Sequence, residues 1–169
     1  MAARDKVKRP EELAEICRTI QRQGGRVVFT NGCFDILHVG HVRYLESARD
    51  LGDLLVVGVN SDSSVRRIKG PDRPLIEEEQ RAEMVAALHC VDYVTLFGAP
   101  DPLDLIELLA PDVLVKGADW ALEKIIGADV VIRKGGSVVR IPFVMGSSST
   151  TIIDRILDRF SKTTLPESQ

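Results

Sequence analysis

Val27-Val28-Phe29-Thr30-Asn31-Gly32-Cys33-Phe34-Asp35-Ile36-Leu37-His38-Val39-Gly40-His41 is the stretch on which the fold turns. Its first three residues form a short apolar run of the kind seen in a fully buried strand. Beyond His41, the residues Val42, Leu45, Ala48 and Leu51 recur at helical spacing, opposite Arg43, Glu46, Arg49 and Asp50. A strand therefore passes through a glycine-containing turn into a helix that opens with two histidines. Unpaired N–H groups and the positive end of the helix dipole make such a junction a natural phosphate site. Histidines three apart on a first helical turn share one face, and Gly40 between them lets a ligand approach the backbone closely.

Two plainer readings of the same residues stand beside this one. A His-x-x-His pair can ligate a metal, with Asp35 or Cys33 completing the set. Alternatively, Asp35 caps the helix and the histidines lie on the surface. The chain holds only three histidines, and His89 sits at an apolar helix end without ligand-like neighbours. Neither plainer reading accounts for the glycine and both histidines together.

Working outward, Pro10 to Gln23 reads as an amphipathic helix with Leu13, Ile16, Cys17 and Ile20 on one stripe, a cover or interface element ended by Gly24-Gly25. After the histidine-bearing helix, Gly52-Asp53 breaks into a second buried strand, Leu54 to Asn60. Strand, helix and strand in so short a span make a right-handed βαβ crossover the expectation. Asn60 to Ser64 reads as a polar loop at a strand's carboxyl end, where open parallel sheets bind ligands. Val65 to Lys69 is short and basic, and Gly70 to Pro74 an extended surface loop. Then follow a helix from Glu77 to Leu88, a strand at Tyr93–Phe97, a helix from Pro102 to Leu109 and a strand at Asp112–Lys116. Val130 to Ile132 and Val138 to Ile141 read as short strands around the Gly135-Gly136 turn. Ser147 to Thr151 leads into a helix from Ile152 to Phe160, and the tail from Ser161 reads as frayed. The alternation makes this a doubly wound α/β fold, a Rossmann-like parallel sheet flanked by helices, in one domain.

With 169 residues the chain fits one domain with a real core. A formal charge of −3 argues against a nucleic-acid binder, which would carry a basic excess. No apolar run is long enough to span a bilayer, and no signal peptide is visible. Three cysteines without a pairing motif suit a reducing, cytoplasmic compartment. Cys33 has no histidine–carboxylate relay and reads as packing, not as a nucleophile.

Gly32-Cys33-Phe34-Asp35 followed by His38-Val39-Gly40-His41 resembles the signature of the HxGH nucleotidyltransferases, the cytidylyltransferase-like superfamily. Within it, the chain is most similar to the adenylyltransferases that move AMP from ATP onto D-glycero-β-D-manno-heptose 1-phosphate, giving ADP-heptose and pyrophosphate. In many bacteria that activity is joined to a sugar kinase, and here the transferase is expected to stand alone. The resemblance runs from about Val27 to Ile156 and implies a transferase domain at 25–160, a helical extension at 1–24 and a flexible tail at 161–169.

What the resemblance implies for the site follows residue by residue. His38, His41 and Lys69 would be catalytic, contacting the triphosphate. Asn31, Gly32, Cys33, Phe34, Gly40, Lys116, Gly117, Ser148, Ser149 and Thr150 would join the histidines in binding nucleotide, the hydroxyl run holding the β- and γ-phosphates. Asn60, Asp62, Arg73, Asp119 and Trp120 would face the acceptor. Arg81 has the plain alternative of a surface ion pair, and Lys69 that of a solvated charge. The glycerol-phosphate cytidylyltransferases carry an arginine where this chain has Phe143, which favours the heptose enzymes over that alternative. Mg²⁺ would ride on the phosphates with few protein ligands. The implied partners are ATP and a sugar phosphate, with no nucleic acid or membrane, and a homo-oligomer, often a dimer in related enzymes. A third reading, from another class, is a nucleotide-binding module without turnover.

Overall fold

The computed structural model describes residues 1–118, 121–142, 146 and 148–161. In chain order the elements are α1 (Pro10–Arg22), β1 (Val27–Gly32), α2 (Val39–Arg49), β2 (Leu54–Asn60), α3 (Asp62–Lys69), α4 (Glu78–Ala86), β3 (Tyr93–Phe97), α5 (Leu103–Leu109), β4 (Val113–Gly117), α6 (Ala128–Arg133), β5 (Ser137–Ile141) and α7 (Ser149–Phe160). The strands form one parallel sheet in the order β3-β2-β1-β4-β5. Chain order reverses between β1 and β4, so the crevice for a ligand opens at their carboxyl ends.

Two apolar layers hold the sheet. On one face Val28, Val57 and Val115 pack with Leu45 and Ala48 of α2 and Ala82 and Val85 of α4. On the other, Phe29, Val56 and Leu114 pack with Leu13 and Cys17 of α1, Ile106 of α5 and Ala128 of α6. The stripe read on α1 is thus a lid over the second layer, with Leu13 and Cys17 fully buried. Every residue of β2 is buried, as expected of a strand covered on both faces. Carboxylates pin the opposite edge of the sheet: Asp53 accepts from Arg26 N–H, Asp112 from Val27 N–H and Asp92 from Leu55 N–H, all within 2.8 Å.

Three expectations need correction. Val130 to Ile132 is not a strand: it lies within helix α6, which starts after Gly127 (φ +82°) and stops before Gly135 (φ +82°). A triplet of β-branched residues cannot distinguish a buried helix from a strand by periodicity, and the two left-handed glycines decide it. Asp62 to Ser64 is not loop but the first turn of α3, capped by Ser61, whose Oγ accepts from Ser64 N–H. The last helix starts at Ser149 rather than Ile152. No helix among the described residues is long and apolar enough to cross a membrane.

Candidate active site

The β1–α2 turn is built around Phe34. It adopts φ +49°, a conformation rare outside glycine, and its ring is 5 % exposed. A Cβ on Gly32 would lie 3.1 Å from that ring, so glycine is what lets the turn fold back. Asp35, 1 % exposed, then ties down the following loop. One carboxylate oxygen accepts from Leu75 N–H and Ile76 N–H at 2.8 and 3.0 Å, and the other from Arg73 Nε at 2.5 Å. Burial alone would raise its carboxyl, but those donors together outweigh burial and hold it below the usual carboxylate range.

His38 is the residue preceding the first turn of α2, and no side chain caps the helix there. His41 lies one turn on. Their rings stack, with centroids 3.9 Å apart and planes 24° off parallel, and the His41 ring leans on Phe34 at 5.2 Å. Both Nδ1 atoms are buried without a partner among the described residues. Burial lowers both imidazoles, His41 to about 4 with the neighbouring His38 and Lys69 charges adding to the effect. At neutral pH the stacked pair is therefore uncharged, which removes the repulsion two imidazolium rings would feel at that distance. Lys69, exposed at the end of α3, is near enough for its charge to act on His41.

The hydroxyl run reaches the same turn. Ser149 Oγ donates to Ile36 C=O at 3.2 Å, two residues from His38 and 113 positions away along the chain. Ser148 caps α7, accepting from Thr151 N–H at 3.0 Å, and Thr150 is exposed. On β4, Lys116 Nζ donates to Asn31 Oδ1 of β1. Asn31, Gly32, Cys33, Phe34, His38, Gly40, His41, Lys116, Gly117 and Ser149 thus gather at the carboxyl edge of the two central strands. Asp119, Trp120, Phe143 and Ser147 lie outside the described residues.

The residues expected on the acceptor fare differently. Asn60 is 3 % exposed and its amide donates to Ser64 Oγ, so it holds the start of α3 instead of facing solvent. Asp62 accepts from Arg81, and Arg73 lies against Asp35, with its Nη2 buried and unpartnered. Arg81 is no surface residue. It is fully buried and donates to Ile76 C=O (2.8 Å), Cys33 C=O (2.5 Å) and Asp62 Oδ1 (2.7 Å), joining the β1–α2 turn, the loop before α4 and the first turn of α3. Its neighbours Glu79, Gln80 and Glu83 gave no hint of this, since helical charge patterns look alike whichever face is covered. Cys33 is half-buried, and burial raises its thiol despite Lys69, Arg81 and Arg73 nearby, so it carries no thiolate for chemistry.

A family model described as cytidylyltransferase-like matches residues 29–155. The chain belongs to this family. The cytidylyltransferase-like chain is 55 % identical over 157 residues to the "Bifunctional protein HldE" of Syntrophotalea carbinolica, covering 93 % of this chain and 32 % of that protein. Its counterpart in Geobacter sulfurreducens is likewise 55 % identical over 157 residues, at the same coverage. The chain thus spans about a third of the length of the curated relatives it matches. Among solved structures, the lipopolysaccharide core biosynthesis protein of Thermoplasma volcanium aligns with TM-score 0.59 at 30 % identity, over 72 % of this chain and 98 % of that one. A pantoate–β-alanine ligase of Francisella tularensis shares the fold alone, with TM-score 0.58 at 13 % identity over 90 % of this chain and 77 % of that one.

The half-buried histidines carry a measurable cost in acid. Unfolded imidazole titrates near 6.5, and His41 in the folded chain titrates at about 4. A folded value below the unfolded one means stability is complete above pH ~6.5 and drains as pH falls toward ~4, since the unfolded chain then binds more protons. Urea titrations are expected to lose on the order of 3 kcal/mol across that window, and His41→Gln to lose clearly less. An identical loss in both proteins would show that another group is responsible. Asp35 also favours the fold at higher pH, but its contribution drains only below the ordinary carboxylate range, separating the two.

Proposed function

We propose that this chain transfers AMP from ATP to D-glycero-β-D-manno-heptose 1-phosphate, releasing pyrophosphate and ADP-heptose. The observation that carries the reading is the stacked, unpartnered His38–His41 pair at the uncapped start of α2, with Ser149 of a distant helix bonded to the same turn. Donors converging from α2 and α7, with Lys69 close by, suit a triphosphate. The identity to bifunctional relatives and the likeness to a lipopolysaccharide core protein support heptose as the acceptor.

In this mechanism an oxygen of the sugar 1-phosphate attacks the α-phosphorus in line, and the bond to the β-phosphate oxygen breaks. His38 and His41 donate to the phosphate oxygens on which charge builds, aided by the N–H groups opening α2. Lys69 and the hydroxyls of Ser148, Ser149 and Thr150 hold the leaving pyrophosphate. No covalent intermediate is needed. Mg²⁺ enters on the nucleotide as part of the substrate: Asp35, the carboxylate beside the histidines, is already fully used by Arg73, Leu75 and Ile76. We place the catalytic unit at residues 25–160, with α1 as its cover, in the cytoplasm, where its three free cysteines remain reduced.

The test is pyrophosphate release with ATP or CTP, each offered heptose 1-phosphate or glycerol 3-phosphate. ATP with heptose 1-phosphate is expected to be the productive pair by more than tenfold. Release only with CTP and glycerol 3-phosphate would replace this reading with a cytidylyltransferase.

A further inference from the structure

We infer that Lys116, which the family resemblance implied for the nucleotide, binds instead the phosphate of the acceptor, from the face of the sheet opposite the one that carries the histidines. The inference rests on the adenylyl-transfer reading above and adds the acceptor's side of the site.

Neighbouring residues fix the faces. Thr30 shares a hydrogen bond with Tyr44 of α2, and Val115 lies in the layer of Phe34 and Leu45. Asn31 and Lys116, each one residue further along its strand, therefore point the other way. They lie above Phe29 and Leu114, at the rim of the layer shared with α1, α5 and α6. Register sets Gly58 of β2 beside Asn31 and Arg140 of β5 beside Lys116. A Cβ at Gly58 would come within 3.1 Å of the Phe29 ring and 3.2 Å of Asn31 Cβ, so only glycine lets the strands pack this closely beside the pair.

Among the described residues no carboxylate pairs with Lys116, and its Nζ donates to the neutral amide oxygen of Asn31. Burial draws its ammonium down to about 8. A partly buried cation whose contact among the described residues is a neutral amide gains from an anion.

In-line displacement decides which anion. The attacking and leaving oxygens lie on opposite sides of the α-phosphorus. His38, His41 and Ser149 cluster on the α2 and α7 side and take the leaving end. The attacking group must then arrive from the far side of the crevice between β1 and β4, the two strands that present Asn31 and Lys116. A phosphate monoester brought against a triphosphate also needs a cation between them, and on this reading Lys116 supplies it. The ligand class is a sugar 1-phosphate, held by its phosphate.

Steady-state kinetics with MgATP and heptose 1-phosphate test this in the full chain. Lys116→Met is expected to raise the acceptor KM at least tenfold, while ATP affinity, titrated without acceptor, stays within twofold. Lys116→Arg is expected to restore most of the acceptor affinity. Lys116→Gln provides a second uncharged variant should the methionine protein fail to fold. A parallel loss of ATP affinity would assign Lys116 to the nucleotide and overturn the inference, as would an unchanged acceptor KM. If the wild-type chain releases no pyrophosphate with ATP, the adenylyl-transfer reading fails and takes this inference with it. Turnover in the wild type with an indifferent Lys116→Met removes the anchor alone.

Discussion

Replacing His38 or His41 by alanine is expected to lower kcat about 10²–10³-fold, the usual cost of removing one preorganised transition-state donor. Both rings start out neutral and buried at Nδ1, with no group among the described residues to satisfy them. On the proposed reading they can engage phosphate oxygens without first breaking a hydrogen bond to a described residue. Because the rings stack at 3.9 Å, removing one also unseats the other. The double variant is thus expected to be little worse than either single one, the signature of groups that act as a unit. His41 also packs on Phe34, so asparagine replacements, which keep a polar side chain of moderate size, control for lost packing. Single-turnover rates at saturating ATP check the expectation, and near wild-type rates in both single variants would contradict the assigned roles.

The largest loss of stability is expected at Arg81. Replacement by methionine keeps the apolar stem but strands two backbone carbonyls and the Asp62 carboxylate. Breaking one side of a buried ion pair costs about 3–5 kcal/mol, which in a domain of this size lowers Tm by roughly 6–20 °C. Lysine is expected to rescue little, since one ammonium cannot reproduce a planar fork reaching Ile76, Cys33 and Asp62 at once. Thermal melts give the magnitude. Faster hydrogen exchange confined to residues 33–36 and 75–76, ahead of global unfolding, would locate the lost support. A Tm within 2 °C of wild type in Arg81→Met would mean that the three segments hold together without it.

How far the residues alone led depends on where their information lies. The β1–α2 junction was legible because everything that defines it is local: a buried run, a glycine, two histidines at helical spacing. Strand β2 was legible for the same reason, seven residues covered on both sides. Helix α6 was misread because Val130, Val131 and Ile132 satisfy a strand and a buried helix equally well. Asp35 offered capping or metal binding on paper, whereas its real partners lie 38 to 41 positions away in a loop whose path is set by the tertiary fold. Arg81 was hidden in the same way, 48 positions from the Cys33 carbonyl it supports. Asn60 and Asp62 were placed at a strand's carboxyl end but read as a polar loop; Asn60 closes β2 and Asp62 opens α3. Their side chains serve the start of α3 and Arg81 because that helix begins sooner than its serine-rich opening suggested.

The bond between Ser149 and Ile36 also bears on how the molecule is made. A chain emerging from the ribosome can pair all five strands once residue 141 is free, because β5 closes the edge of the sheet. The α7 side of the proposed triphosphate site is still missing then, because it arrives only with residues 149–160. On the adenylyl-transfer reading, a nascent protein halted between these points would hold its sheet but lack the α7 hydroxyls, so its nucleotide affinity would report whether α7 had been made.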